Sequence, residues 1–104
     1  MIISSSESIA GKKIVKHIGL VTGNTVRARH IGKDIIASLR NLVGGEVHEY
    51  TKLMAEAREQ ALDRMKLQAE RMGANCVINV RFSTAMVMQN VAEIVAYGTA
   101  VVIE

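Results

Sequence analysis

A chain of 104 residues, 49% of them apolar, has the length of one domain and can build a core without metal or disulfide staples. Its single cysteine excludes an intrachain disulfide. No stretch reads as a signal peptide or as an apolar span of about 20 residues, so a reducing, cytoplasmic setting is expected and a membrane partner is not. The formal charge of +3 divides into seven Lys/Arg against two acids (+5) over residues 1–45 and six against eight (−2) over residues 46–104. That asymmetry fits an anion-facing surface, subunits that pack basic side to acidic side, or charges that serve solubility.

The opening Met1-Ile2-Ile3 followed by three serines reads as an edge strand or an arm. From Lys13 to Ala28 the chain is rich in β-branched residues, shows no helical stripe and carries apolar groups on both faces, which predicts a strand with glycines marking a bulge or turn. Ile31, Ile35, Leu39, Leu42 and Val43 recur at steps of three and four and predict a short helix closed by Gly44-Gly45. Between Glu49 and Met72 a longer helix is expected. Its apolar stripe runs through Tyr50, Met54, Ala57, Ala61, Met65, Ala69 and Met72, widened by Leu53 and Leu62, with Glu56, Glu59, Asp63, Lys66 and Glu70 on the water side.

Gly73-Ala74-Asn75 ends that helix. Cys76 to Ser83 then reads as a strand on which Cys76, Ile78, Val80 and Phe82 share the core face. After a turn near Gln89-Asn90, Val91 to Ile103 forms the last strand, with Ile94, Ala96, Gly98, Ala100 and Val102 on one face and Val95, Tyr97, Thr99 and Val101 on the other. The expected fold is a two-layer α+β domain over residues 1–104, of order β-β-α-α-β-β, with a mainly antiparallel sheet and helices on one face. Because helices cover one face only, Val95, Tyr97, Thr99 and Val101 are candidate contacts of a homo-oligomeric ring.

No catalytic constellation emerges. The serines lie in no nucleophile turn, Gly19 to Gly23 is not followed by the Lys-Ser/Thr of a phosphate loop, and Cys76 alternates with core residues past a helix C-terminus, where the dipole disfavours a thiolate. His17, His30, His48 and Cys76 are isolated, without the local spacing of metal ligands. Arg27, Arg29, His30 and Lys33 form the densest basic cluster, before or within the first turn of the short helix, and are candidate ligands for a phosphate or carboxylate. With two Tyr, one Phe and no reading motif, nucleic acid is not the expected partner.

Five segments in order, Gly19-Leu-Val-Thr-Gly-Asn-Thr-Val26, Leu42-Val-Gly-Gly45, Ala57-Arg-Glu-Gln-Ala-Leu62, Gly73-Ala-Asn-Cys-Val-Ile-Asn-Val80 and Gly98-Thr-Ala-Val-Val-Ile-Glu104, resemble the YbjQ-like family of bacterial and archaeal proteins over essentially the whole chain. The resemblance implies a two-layer subunit assembled into a pentamer and a heavy-metal-binding label. Cys76 stands where the family commonly has alanine, and Val80-Arg81-Phe82-Ser83 lacks the family's acidic pair, so no metal ligand is carried over. The expected function is a non-enzymatic, homo-oligomeric binding protein for a small anion or a metal ion, with no cofactor identified. An enzyme whose site is shared between subunits and a purely structural or regulatory ring are the alternatives.

Overall fold

The computed structural model of the protein describes residues 1–28, 48–88 and 91–104. The expected short helix with Gly44-Gly45, and the turn at Gln89-Asn90, lie outside the described residues. Within them the elements are β1 (Ile2–Ile3), β2 (Ile14–Ala28), α1 (His48–Arg71), β3 (Cys76–Met88) and β4 (Val91–Ile103). The sheet is mixed, in the order β1-β3-β4-β2: β1 runs parallel to β3, while β3 and β2 flank β4 antiparallel. We call the end that holds Cys76 and Ile103 proximal, and the end that holds Met88 and Val91 distal.

Helix α1 lies across β2 and β4 and barely touches β3. Its buried stripe is Ala57, Ala61, Met65 and Ala69, with Met54 and Leu62 partly covered, against Val21, Val77, Ile94, Ala96 and Ala100. The small side chains of Ala57, Ala61 and Ala69 on that stripe let the helix backbone come down onto the strand. A Cβ at Gly23 would run into the Ala61 carbonyl oxygen and the Met65 amide, so only glycine fits beneath α1 there. At the helix end Gly73 takes φ 88°, with its amide bonded to the Glu70 carbonyl and the Ala74 amide to the Ala69 carbonyl, the paired bonds that close a helix on a left-handed residue. Met72, expected on the buried stripe, falls past the last helical residue and is exposed.

Strand β3 departs from the sequence reading in two ways. It continues to Met88 rather than stopping at Ser83, and Cys76, Ile78, Val80 and Phe82 do not share a face. Between the Ile78–Thr99 and Arg81–Tyr97 pairs two β3 residues, Asn79 and Val80, oppose the single Gly98. Asn79 absorbs the extra residue at φ 53°. This bulge shifts the alternation by one: Cys76 and Ile78 face away from the helix, whereas Val80 packs on the helix side with Val77.

The face away from α1 is closed proximally by the chain itself. Cys76, Ile78, Val101 and Ile103 form a second small core, covered by Ile9 and Ile14. Beyond that cluster the cover is missing, from Leu20 near the middle of β2 to Val26 at its distal end and at Tyr97 on β4, and on the helix side Phe82 and Met86 are exposed as well, in a protein 54 Å long.

Candidate functional site

Arg27 and Thr25 stand side by side near the distal end of β2, their register partners Ala92 and Ile94 placing them on the helix side. The i, i+2 spacing in a strand puts both side chains under the N-terminal half of α1. Thr25 is 2% exposed, and its Oγ1 is buried without a hydrogen-bond partner. Arg27 is half-buried, donates from Nη2 to Gln60 Oε1 at 2.9 Å, and keeps Nε buried and unpartnered. The ion pair found among the described residues lies elsewhere, between Lys66 and Asp63 at 3.6 Å. Among the described residues Arg27 thus holds its guanidinium against a neutral amide, with donor capacity on Arg27 and Thr25 left unused, and a half-buried cation in that state favours an anion.

Of the four residues in the expected anion cluster, Arg27 is placed as described, and Arg29, His30 and Lys33 lie outside the described residues. Thr25 was not legible as a site residue, since a threonine in a β-branched run reads as strand chemistry. Gln60 is part of a pattern that sequence spacing does carry. Gln60, Arg64 and Gln68 recur every four residues, three positions after each of Ala57, Ala61 and Met65, and all three reach β2. The Thr22 amide donates to Gln68 Oε1 at 2.7 Å, and Arg64 Nη1 donates to the Asn24 carbonyl at 2.6 Å. A helix stripe therefore occupies backbone groups on the outer edge of β2.

Among the expected contact residues, Val95 and Thr99 are half-buried and Tyr97 is exposed. Val101 is fully buried inside the protomer, under Ile9 and Ile14, so covering it requires no neighbour. Cys76 is likewise enclosed, and burial pushes its thiol above the ordinary value, partly offset by the positive N-terminus, as expected for a packing residue. His17 is exposed on β2. Among the described residues no three His, Cys, Asp or Glu side chains come together as a metal set. Met1, Asp63, Lys66, Leu67 and Glu70 line an open groove beside α1 in which that ion pair lies. No helix among the described residues is long and apolar enough to cross a membrane.

The whole chain, residues 1–104, matches the YbjQ family model, whose description is "putative heavy-metal-binding". It is 60% identical over 104 residues to a UPF0145 protein of Dehalococcoides mccartyi, covering 100% of both chains. To a UPF0145 protein of Methanosarcina acetivorans it is 56% identical over 101 residues, 97% of this chain and 95% of that one. The fold is shared with a solved protein of unknown function of the DUF74 family from Pediococcus pentosaceus, at TM-score 0.66 and 17% identity, covering 100% of this chain and 98% of that one. On a match that runs from the first residue to the last, the chain belongs to the YbjQ-like family.

Proposed function

We infer that the protein is a non-enzymatic, homo-oligomeric binding protein whose ligand is a small oxyanion held beside Arg27. The observation that carries this reading is the half-buried Arg27 guanidinium, which among the described residues pairs only with the neutral Gln60 amide, next to the unfilled hydroxyl of Thr25. A phosphate or carboxylate oxygen accepts from both donors and neutralises the charge, and such charge-assisted bonds are the stronger kind. Arg29, His30 and Lys33 follow directly in sequence and would add to the same positive field.

The test is a thermal-shift titration with inorganic phosphate, alongside elemental analysis of the purified protein. Phosphate is expected to raise the melting temperature of the wild type and to leave Arg27→Gln and Thr25→Val unresponsive. Without phosphate, Thr25→Val is expected to be more stable by about 1 kcal/mol, because a buried hydroxyl with no partner is replaced by a methyl of the same shape. An equal phosphate shift in all three proteins removes the reading, and a stoichiometric metal would favour the family description instead.

The homo-oligomeric part rests on surface chemistry. Met86 is 74% exposed, Leu20 68% and Met88 66%, with Phe82, Val87, Val26 and Tyr97 also uncovered. Soluble monomers rarely leave so much apolar surface wet on both faces of one sheet. Half-buried Val95 and Thr99 flank Tyr97 on the helix-free face and belong to the same proposed contact. Five copies is the number that family resemblance implies, and light scattering is expected to show a single species well above the monomer mass.

A further inference from the structure

We propose that the oxyanion beside Arg27 is one end of a diphosphate whose other end is held by Arg64, one helical turn along α1 from Gln60; the proposal rests on the oxyanion reading above and names its class of ligand. Gln60 and Arg64 follow each other on the row of α1 that meets β2, and their partners run back along the strand: Gln60 Oε1 accepts from Arg27, and Arg64 Nη1 donates to the Asn24 carbonyl. Both guanidinium groups therefore lie on one seam between helix and strand. Four helix residues rise about 6 Å and three strand residues span about 10 Å, so the anchor points of the two cations fall roughly 6–10 Å apart. One phosphoryl group engages one of them, whereas two linked phosphoryl groups reach both.

No acid among the described residues cancels either charge. Glu56, one turn before Gln60 on the same row, makes no ion pair with Arg27, and the ion pair that is present joins Asp63 to Lys66. Glu93 opposes Val26 in the sheet and so points to the helix-free face. Between the two cations stand neutral groups: the Gln60 amide, and Thr25, 2% exposed with its hydroxyl unfilled. Arg64 is exposed and, among the described residues, spends a donor on Asn24 alone out of the five a guanidinium carries. The Thr22 amide and the Asn24 carbonyl are already occupied by Gln68 and Arg64, so the seam offers a ligand side-chain donors rather than backbone ones. Arginine forks take phosphate oxygens two at a time, and a diphosphate carries its charges in fixed adjacency, whereas a flexible dicarboxylate must lose rotational freedom to span the same two groups.

Isothermal titration calorimetry on the full chain, without added divalent metal, tests this with orthophosphate, pyrophosphate, ADP and succinate as probes. Pyrophosphate or ADP is expected to bind the wild type about tenfold more tightly than orthophosphate, the gain of one further charge-assisted contact. Arg64→Gln, a change at an exposed helix position, is expected to erase that advantage while leaving orthophosphate affinity as it was, and Arg27→Gln to lose every anion. The tighter of pyrophosphate and ADP identifies whether the diphosphate is free or carried on a nucleoside. Orthophosphate binding that depends on Arg27, with no diphosphate advantage or with one that survives Arg64→Gln, overturns the proposal and leaves the oxyanion reading standing. Succinate binding as tightly as pyrophosphate overturns the phosphate chemistry, and a wild type that binds none of the four overturns both the proposal and the reading beneath it.

Discussion

Cys76 shows how the sheet decides the chemistry of a single residue. Its thiol is sealed between Ile78, Val101 and Ile103, and desolvation raises its pKa above the ordinary 9.0, with the nearby N-terminus pulling weakly the other way. The sign of the pH dependence follows. Below pH 9 the thiol is protonated whether the chain is folded or not; above it the unfolded chain releases a proton that the folded one retains, so stability falls as pH rises past the ordinary value towards the raised one. Urea unfolding of wild type and Cys76→Ala across pH 7 to 10.5 is therefore expected to show a steeper alkaline loss in the wild type. Parallel curves would mean that the thiol is not desolvated. That Cys76 is a core residue was legible from its alternation with apolar neighbours. Which core it belongs to was not, because nothing in a local pattern says that Ile9 folds back over the helix-free face.

Elements whose signals are local came through from sequence nearly to the residue. Helix α1 begins one residue before Glu49 and ends at Arg71, because an alanine-rich stripe and a glycine stop are encoded within the segment itself. β4 spans the expected Val91–Ile103 with the expected faces, the helix-side core taking Ile94, Ala96 and Ala100. β3 was misread because its bulge is set by the partner strand: period-two alternation from Cys76 to Phe82 is self-consistent, and only the pairing with β4 shows two residues facing Gly98. The close approach of α1 to β2 was equally hidden, since Gly23 in a strand-like run reads as a turn or bulge rather than as a seat for a helix. Gly23→Ala tests that seat. Its Cβ meets helix backbone rather than a side chain able to rotate away, so α1 must shift, at a cost of about 3 kcal/mol in chemical unfolding. A loss below about 1 kcal/mol would show that the helix rides higher than described.

At the scale of the whole molecule, the homo-oligomeric reading proposed above gives the helix-free face a task. Under that proposal Tyr97, Val95, Leu20 and Val26, which share the helix-free face, meet a neighbouring copy. Tyr97 and Val101 lie on that face of the same strand, yet they report on different events. Val101 is fully buried within the protomer, so Val101→Glu places a carboxylate inside a dry core and is expected to cost several kcal/mol and unfold the chain itself. Tyr97 is 37% exposed, so Tyr97→Glu leaves the protomer folded and instead sets a carboxylate in the proposed contact between copies. Circular dichroism with light scattering separates the two: a folded species of reduced mass is expected for Tyr97→Glu at neutral pH, regaining mass as pH falls through the carboxylate range, and an unfolded chain for Val101→Glu. A Tyr97→Glu protein that keeps the wild-type mass at neutral pH would place the helix-free face outside the contact between copies.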